Sequence, residues 1–238
     1  MGLLHSFLTG YDRWRRRAHE FVGSARYSRP ALDQLDLKLE RHLDFDGGFF
    51  VEAGAHDGYA QSNTYYLERF RGWSGVLVEG IPALAALCRR NRPRSTVVQA
   101  ALVAQAQPGD TVRMHFGGLM SAVAGALGSA EATAAHVRQG VAVQELPGTY
   151  EIAVPARTLS DVLDEAAPGR EVDLLSLDVE GLEAAVLRGL DLRRHAPRFI
   201  CVEARDRAEI EALLAPRYRL REVLVDHGAR CDLLFART

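Results

Sequence analysis

Short apolar runs alternate along this chain with stretches whose apolar residues recur at helical spacing, and that rhythm predicts the elements. Phe49-Phe50-Val51 is the first buried run, led in by Asp46-Gly47-Gly48 and stopped at Glu52 and a glycine turn through Gly58. Ser62 to Phe70 reads as a helix that Ser62 or Asn63 can cap. Gly75 to Glu79 is a second strand, Pro82 opens a helix running to Asn91, and Thr96 to Ala101 is a third strand. After an interruption, Ile152, Val154 and Ala156 mark a strand, and Thr158 opens a helix. Val172 to Leu177 is a buried strand ending at Asp178, followed by a helix from Leu182 to Leu190. Arg198 to Val202 is a strand ending at Glu203, and Ala208 to Leu214 is a helix. Tyr218 to Asp226 and Cys231 to Ala236 form a terminal hairpin. Strand–helix–strand order predicts an α/β fold with a parallel sheet and right-handed crossovers, and the hairpin turns one strand antiparallel.

The ends and the interruption break the rhythm. Residues 1–44 read as a helical appendage, and residues 45–238 as the main domain with an insertion at about 108–148. Tyr11 to Val22 carries Trp14 and Phe21 among Arg13, Arg15, Arg16 and Arg17. It reads as a solvated helix capping the fold, with a membrane surface or a partner as the alternative. Met-Gly-Leu-Leu-His-Ser matches an N-myristoylation pattern, one short enough to arise by chance. Leu32, Leu35, Leu37, Leu39 and Leu43 suggest an amphipathic helix before the first strand. In the insertion, Thr111 to Phe116 is a candidate strand and Gly128 to Gln139 a small helix. Long insertions of this kind are usually functional, so it is expected to cover a cofactor or receive a substrate.

Composition narrows the function classes. At 238 residues and 47% apolar content the chain can build one substantial core, and a net charge of −2 gives no nucleic-acid signature. Lys38 is the single lysine, which argues against Schiff-base chemistry elsewhere. Cys88, Cys201 and Cys231 have neither metal spacing nor a disulfide framework, which suits a reducing, cytoplasmic compartment. No apolar run is long enough to cross a bilayer, and no secretory signal is expected.

The glycine turn is the first candidate for a cofactor site, because open parallel sheets hold nucleotide-like ligands where a strand stops at such a turn. A dinucleotide fingerprint is excluded, since His56 and Tyr59 stand where glycines are required after Gly54, and there is no phosphate-binding lysine motif. What remains is Glu-x-Gly-x-x-x-Gly, with Glu79 at the end of the second strand placed to take a ribose diol. Carboxylates beside the turn disfavour polyphosphates and tolerate a cationic or zwitterionic ligand, a description that S-adenosylmethionine (SAM) fits. Glu52, Glu79, Asp178 and Glu203 all fall at strand ends, the binding edge of an open α/β sheet.

The segments VEAGAHDG, SNTYYLE, GWSGVLVEG and LSLDVEG, in that order over Phe49 to Arg205, resemble the FkbM-type family of SAM-dependent methyltransferases. The resemblance implies a Rossmann-like class I methyltransferase fold with a seven-stranded, mostly parallel sheet and a C-terminal antiparallel hairpin. By position, Glu52, Gly54, Ala55 and Asp57 would line the methionine and ribose part of SAM, with Ser62 and Asn63 over the same pocket. Glu79 would hold the ribose hydroxyls with Ile81 beside the adenine, and Ala100 and Ala101 would pass its ring. Asp178, with Glu180 nearby, would face the reacting methyl. His56 stands where many members carry asparagine, and Gly80 where proline or aspartate is usual.

Transfer to a hydroxyl needs a proton acceptor, and Asp178, Glu180 and His56 are the candidates, with His115 and His227 as further histidines. Asp178 with Glu203 is a candidate pair of metal ligands, an oxygen set suited to magnesium. The expected activity is O-methylation of a saccharide or secondary metabolite, with a small-molecule acceptor and no nucleic acid. The alternative is a catalytically silent module that docks a membrane or a larger synthase through its Arg-rich N-terminal segment.

Overall fold

The structure, a computed structural model, describes residues 10–238; the myristoylation pattern at residues 1–6 lies outside them. Helices α1 (Gly10–Phe21) and α2 (Leu35–Glu40) precede β1 (Phe49–Ala53), α3 (Tyr65–Phe70), β2 (Ser74–Glu79), α4 (Pro82–Asn91) and β3 (Thr96–Gln99). The middle of the chain gives β4 (Ala101–Leu102), β5 (Thr111–His115), β6 (Ala122–Val123), α5 (Ala130–Val143) and β7 (Glu151–Arg157). The alternation then resumes with α6 (Leu159–Ala166), β8 (Leu174–Leu177), α7 (Glu183–Arg188), β9 (Phe199–Ala204) and α8 (Arg207–Leu214). The chain closes with β10 (Tyr218–Asp226) and β11 (Cys231–Arg237).

Seven strands form one sheet in the order β10-β11-β9-β8-β1-β2-β3. Only β11 runs antiparallel to its neighbours, so the sheet is mostly parallel and carries the expected hairpin at one edge. This is the Rossmann-like methyltransferase topology. The chain leaves β1 toward β2 on one side and returns to β8 on the other, and a crevice opens at the carboxyl ends of strands where the order reverses in this way.

Alternate residues of the strands face opposite layers. Val51, Val76, Leu175 and Ile200 pack with Leu159, Val162, Val186 and Leu214 of the helices on one face. Phe50, Leu77, Leu174 and Leu234 pack with Leu35, Leu39, Leu67 and Trp73 on the other. Both faces are covered, which is why the strands read as continuous apolar runs. Leu35, Leu39 and Leu43 supply the buried stripe ahead of β1, each worth roughly 1.5–3 kcal/mol, while Leu32 and Leu37 stay exposed.

Helix α1 docks through polar groups. Arg16 is buried with its guanidinium carbon 3.8 Å from the Tyr59 ring centroid, and Glu20 accepts hydrogen bonds from Ser28 Oγ, Tyr65 Oη and Arg69 Nε. Phe21 and Val22 at its end remain exposed. No helix among the described residues is long and apolar enough to cross a membrane.

A second sheet, in the order β4-β7-β5-β6, lies over the β2–β3 side of the first. Its buried residues Ala101, Met114 and Val154 pack with Ile81 and Leu84 at the start of α4. The stretch Thr96 to Ala101, expected to be one strand, divides at Ala100. The Ala100 amide still bonds the Glu79 carbonyl, but Ala101 and Leu102 leave the first sheet and pair with Ala156 and Arg157.

Candidate active site

Glycine is required in the turn after β1, for reasons that differ at its two ends. Gly54 has φ +85, and a Cβ there would lie 1.7 Å from the Asp178 carbonyl oxygen. Gly58 has φ +78, and a Cβ would lie 2.7 Å from Arg92 Cγ and 2.8 Å from Cys88 Sγ. Both therefore admit neighbouring protein, whereas the sequence suggested that glycine opens the turn to a ligand. Asp57 Oδ1 accepts the amides of Tyr59 and Ala60 at 2.9 and 2.8 Å, an Asx turn that shapes the loop from within. Burial works against the Asp57 carboxylate, but His56, with Nδ1 3.6 Å away, and these amides hold it below its ordinary value.

The carboxylates at the ends of β1 and β2 are oriented by donors of their own scaffold. Glu52 accepts from Ser62 Oγ (2.9 Å), the Asn63 amide (2.9 Å), Thr64 Oγ1 (2.6 Å) and Arg92 Nη1 (3.3 Å). The Arg92 guanidinium, wholly buried, also donates to Gly58 O, Ser62 Oγ, Thr64 Oγ1 and Glu68 Oε2. One side chain thus ties β1, the glycine turn, the 62–64 loop and α3 together. Glu79 accepts the amides of His56 (2.9 Å) and Ile81 (2.7 Å), one on each oxygen. Burial pushes its carboxyl up, against those amides and the neighbouring His56.

A cleft of about 920 Å³, the open space at its mouth included, lies over these strand ends. Of the residues singled out from sequence, Glu52, Gly54, Ala55, His56, Ser62, Asn63, Glu79, Ala100, Ala101, Asp178 and Glu180 line it. Asp57 and Ile81 do not: the first holds its own turn, and the second is fully buried between α4 and the second sheet. From that sheet Ala101, Leu102, Met114 and Val123 reach the cleft. A Cβ on Gly80 would lie 2.2 Å from the Met114 Sδ, so the glycine found there makes room for the methionine. Four carboxylates and no lysine or arginine stand among the described residues lining the cleft.

The ends of β8 and β9 are organised differently. Glu183 accepts the Val179 and Gly181 amides and fixes the loop after Asp178. Asp178 is open to the cleft yet ringed by protein, so enclosure raises its carboxyl well above the ordinary value, and Glu203, Glu180, Glu183 and Asp232 add to the effect. Glu203 is pushed up to about 7, first by burial, which Arg230 offsets in part, and then by Glu180 and Asp232. Asp232 faces Glu203 across the β9–β11 pairing. A second cavity borders these side chains and contains Glu203, which the first cleft does not.

The donor set does not fit magnesium. Glu203 lies 3.1 Å from Arg230 Nε and 3.9 Å from Arg205 Nη2, and Glu180 lies 3.0 Å from Arg205 Nη2 and 2.9 Å from His136 Nε2. Two guanidinium groups at the carboxylates repel a dication, and among the described residues no group of three His, Cys, Asp or Glu is arranged to hold a metal ion. The expected Asp178–Glu203 metal pair is therefore not supported: arginines hold Glu203, and Asp178 stands beside it among other acids. SAM does fit. The cleft has an acid with a lone pair still unused on each oxygen at the end of β2, an apolar wall from Ala100, Ala101, Leu102 and Met114, and no lysine or arginine among the described lining residues to repel a sulfonium.

Sequence reasoning missed Arg92, Met114, Ser176 and Asp232. Ser176 Oγ accepts from Asn63 Nδ2 at 3.0 Å and fixes that amide over the cleft. The alternation along β11, which buries Leu233 and Phe235, could have signalled that Asp232 points the other way, toward the strand-end acids. Nothing in the sequence distinguished Arg92 from the many other arginines.

Residues 52–234 match the model of the methyltransferase FkbM domain. A protein called methyltransferase 1 from Beauveria bassiana is 51% identical over 43 residues, which are 18% of this chain and 17% of that protein, so the chain spans a small part of its length. The crystal structure of a TehB-like SAM-dependent methyltransferase from Corynebacterium glutamicum overlaps 95% of this chain and 96% of its own, with 11% identity and a TM-score of 0.45. Precorrin-6y C5,15-methyltransferase from Geobacter metallireducens overlaps 87% and 88%, with 11% identity and a TM-score of 0.46. Overlaps this loose transfer neither residues nor substrate. The domain match, covering most of the chain, shows its family: the chain belongs to the FkbM methyltransferases.

Proposed function

We propose that the protein transfers the methyl group of SAM to a hydroxyl oxygen of a saccharide or another small metabolite. The observation that carries this reading is the cleft at the point of strand reversal, lined by four carboxylates and by no lysine or arginine among the described residues. Bound there, SAM supplies a methyl group already activated on a sulfonium. Glu79 has its oxygens oriented by two amides and accepts from the ribose diol. Met114 and Ala101 wall the adenine side, and Asn63, fixed by Ser176, closes the opposite wall.

Asp178 takes the acceptor's proton. With SAM supplying the methyl and its sulfur keeping the bonding pair, the proton lost by the acceptor hydroxyl would pass to the Asp178 carboxylate. A carboxylate whose affinity for a proton is raised by its surroundings is a better base for a hydroxyl than an ordinary one. Most of the rate would come from alignment, because the leaving group needs no further activation. His56 stands beside Glu79 and Asp57, at the ribose end, and tunes the cofactor rather than the acceptor. Calorimetric titration with S-adenosylhomocysteine (SAH) tests the reading. Binding is expected, and folded protein that ignores millimolar SAH would overturn it.

A second reading keeps the cleft and drops the catalysis. It is favoured by Phe21 (89% exposed) and Val22 (73%) at the end of α1, which would dock a membrane or a synthase. Replacing both with serine should abolish docking under that reading, and leave methyl transfer intact under the first.

A further inference from the structure

Next to the cofactor cleft lies a second cavity of about 810 Å³, the open space at its mouth included, and the two share Gln61, Asn63, Leu119, Asp178 and Glu180. A molecule in this cavity reaches Asp178 from the side opposite the second sheet's apolar wall. Its outer rim is built from parts of the chain far apart in sequence: Leu32 and Asp33 ahead of β1, Met120 and Val143 from the insertion, and His227 and Asp232 from the hairpin.

We infer that this cavity holds the methyl acceptor and selects an uncharged hydroxyl compound with an apolar flank, rejecting phosphorylated or carboxylated ones; the inference rests on the methyl-transfer reading above. The two sides of the cavity differ in chemistry. Leu32, Leu119, Met120 and Val143 offer apolar surface. Asp178, Glu203 and Asp232 offer carboxyl oxygens that accept from hydroxyl donors. An anionic acceptor adds charge to a cluster whose acids already raise one another's affinity for a proton, and both basic groups of the described lining are already engaged. Arg230 Nε lies 3.1 Å from Glu203, and His227 Nε2 lies 2.9 Å from Asp33. Like charges across a binding surface exclude wrong partners.

The His227–Asp33 contact has a further meaning. It joins the hairpin turn to the segment before β1 and so closes the outer side of the cavity. Asp33 and Gln34 hold left-handed backbone, with φ +51 and +58, which aims this segment at the rim. Leu32 and Asp33 precede residues 52–234, the part matched by the family. Acceptor choice is therefore set in part by residues outside the shared domain.

The test uses the full chain saturated with SAH and two probes, n-octyl β-glucoside below its micelle concentration and n-octyl phosphate, followed by ligand-observed NMR. The glucoside is expected to bind, and the phosphate to bind at least roughly tenfold more weakly. Leu32→Asp should weaken the glucoside by about fivefold or more, and Asp232→Asn should narrow the gap between the probes, with SAH affinity unchanged in both variants. Equal binding of the two probes, no binding of the glucoside, or insensitivity to both substitutions would overturn the inference. Failure of SAH to bind the wild type would instead sink the methyl-transfer reading, so the two failures are told apart.

Discussion

The ends of β1 and β2 and the ends of β8 and β9 carry the same sequence feature, an acidic residue where an apolar strand stops, and the structure puts them to opposite uses. Glu52 and Glu79 are bonded by their own scaffold: Arg92 and the 62–64 loop for the first, two main-chain amides for the second. Asp178 and Glu203 face other acids, and enclosure first and those acids next hold their protons more tightly. An acid oriented by fixed donors shapes a binding surface. An acid crowded by acids can exchange a proton. Position at the strand end does not separate the two, whereas the local count of donors and like charges does.

That contrast can be broken experimentally. Asp178→Asn should lower methyl transfer by roughly 10²–10⁴-fold while SAH affinity stays near that of the wild type, and a parallel loss of SAH binding would mean that Asp178 holds the donor. Arg92→Met leaves Glu52 and Glu68 buried without their cation, so unfolding free energy should fall by about 3–5 kcal/mol in denaturant melts. Glu79→Ala should weaken SAH by about 1–3 kcal/mol in calorimetry, and an unchanged affinity would place the ribose elsewhere.

The smallest effect is in pH. Glu203 keeps its proton up to about 7 when folded, against an ordinary 4.5, so its contribution to stability is full below 4.5 and is lost as pH rises through about 7. The melting temperature of the wild type should accordingly fall relative to Glu203→Gln across that window. A pH-independent difference would show that Arg230 keeps Glu203 ionised throughout.

Elements set by local pattern were legible in the sequence. The run from Tyr218 to Asp226 and the helix from Pro82 to Asn91 fall where apolar periodicity and the proline put them. The acids at the strand ends were legible as a set, because strands stop at polar residues. The second sheet was not. Its β4 and β7 pair across some fifty residues, β4 and β6 have two residues each, and no periodicity survives in pieces so short. The split at Ala100 is likewise a change of pairing partner, which leaves no mark on the side chains. Arg92 was invisible because its partners lie at 52, 58, 62, 64 and 68, and only the folded chain brings them together. Ile81 was misplaced for a similar reason: the second sheet covers it and presents Met114 to the cleft in its stead.

Gly54 lies so close to the Asp178 carbonyl that not even a methyl group fits between them. The turn proposed to seat the donor and the backbone of the proposed base are thus in hard contact, with no slack to let one shift alone. Seating the donor and aiming the base become a single mechanical adjustment, and an enlargement of that one residue would misalign both together.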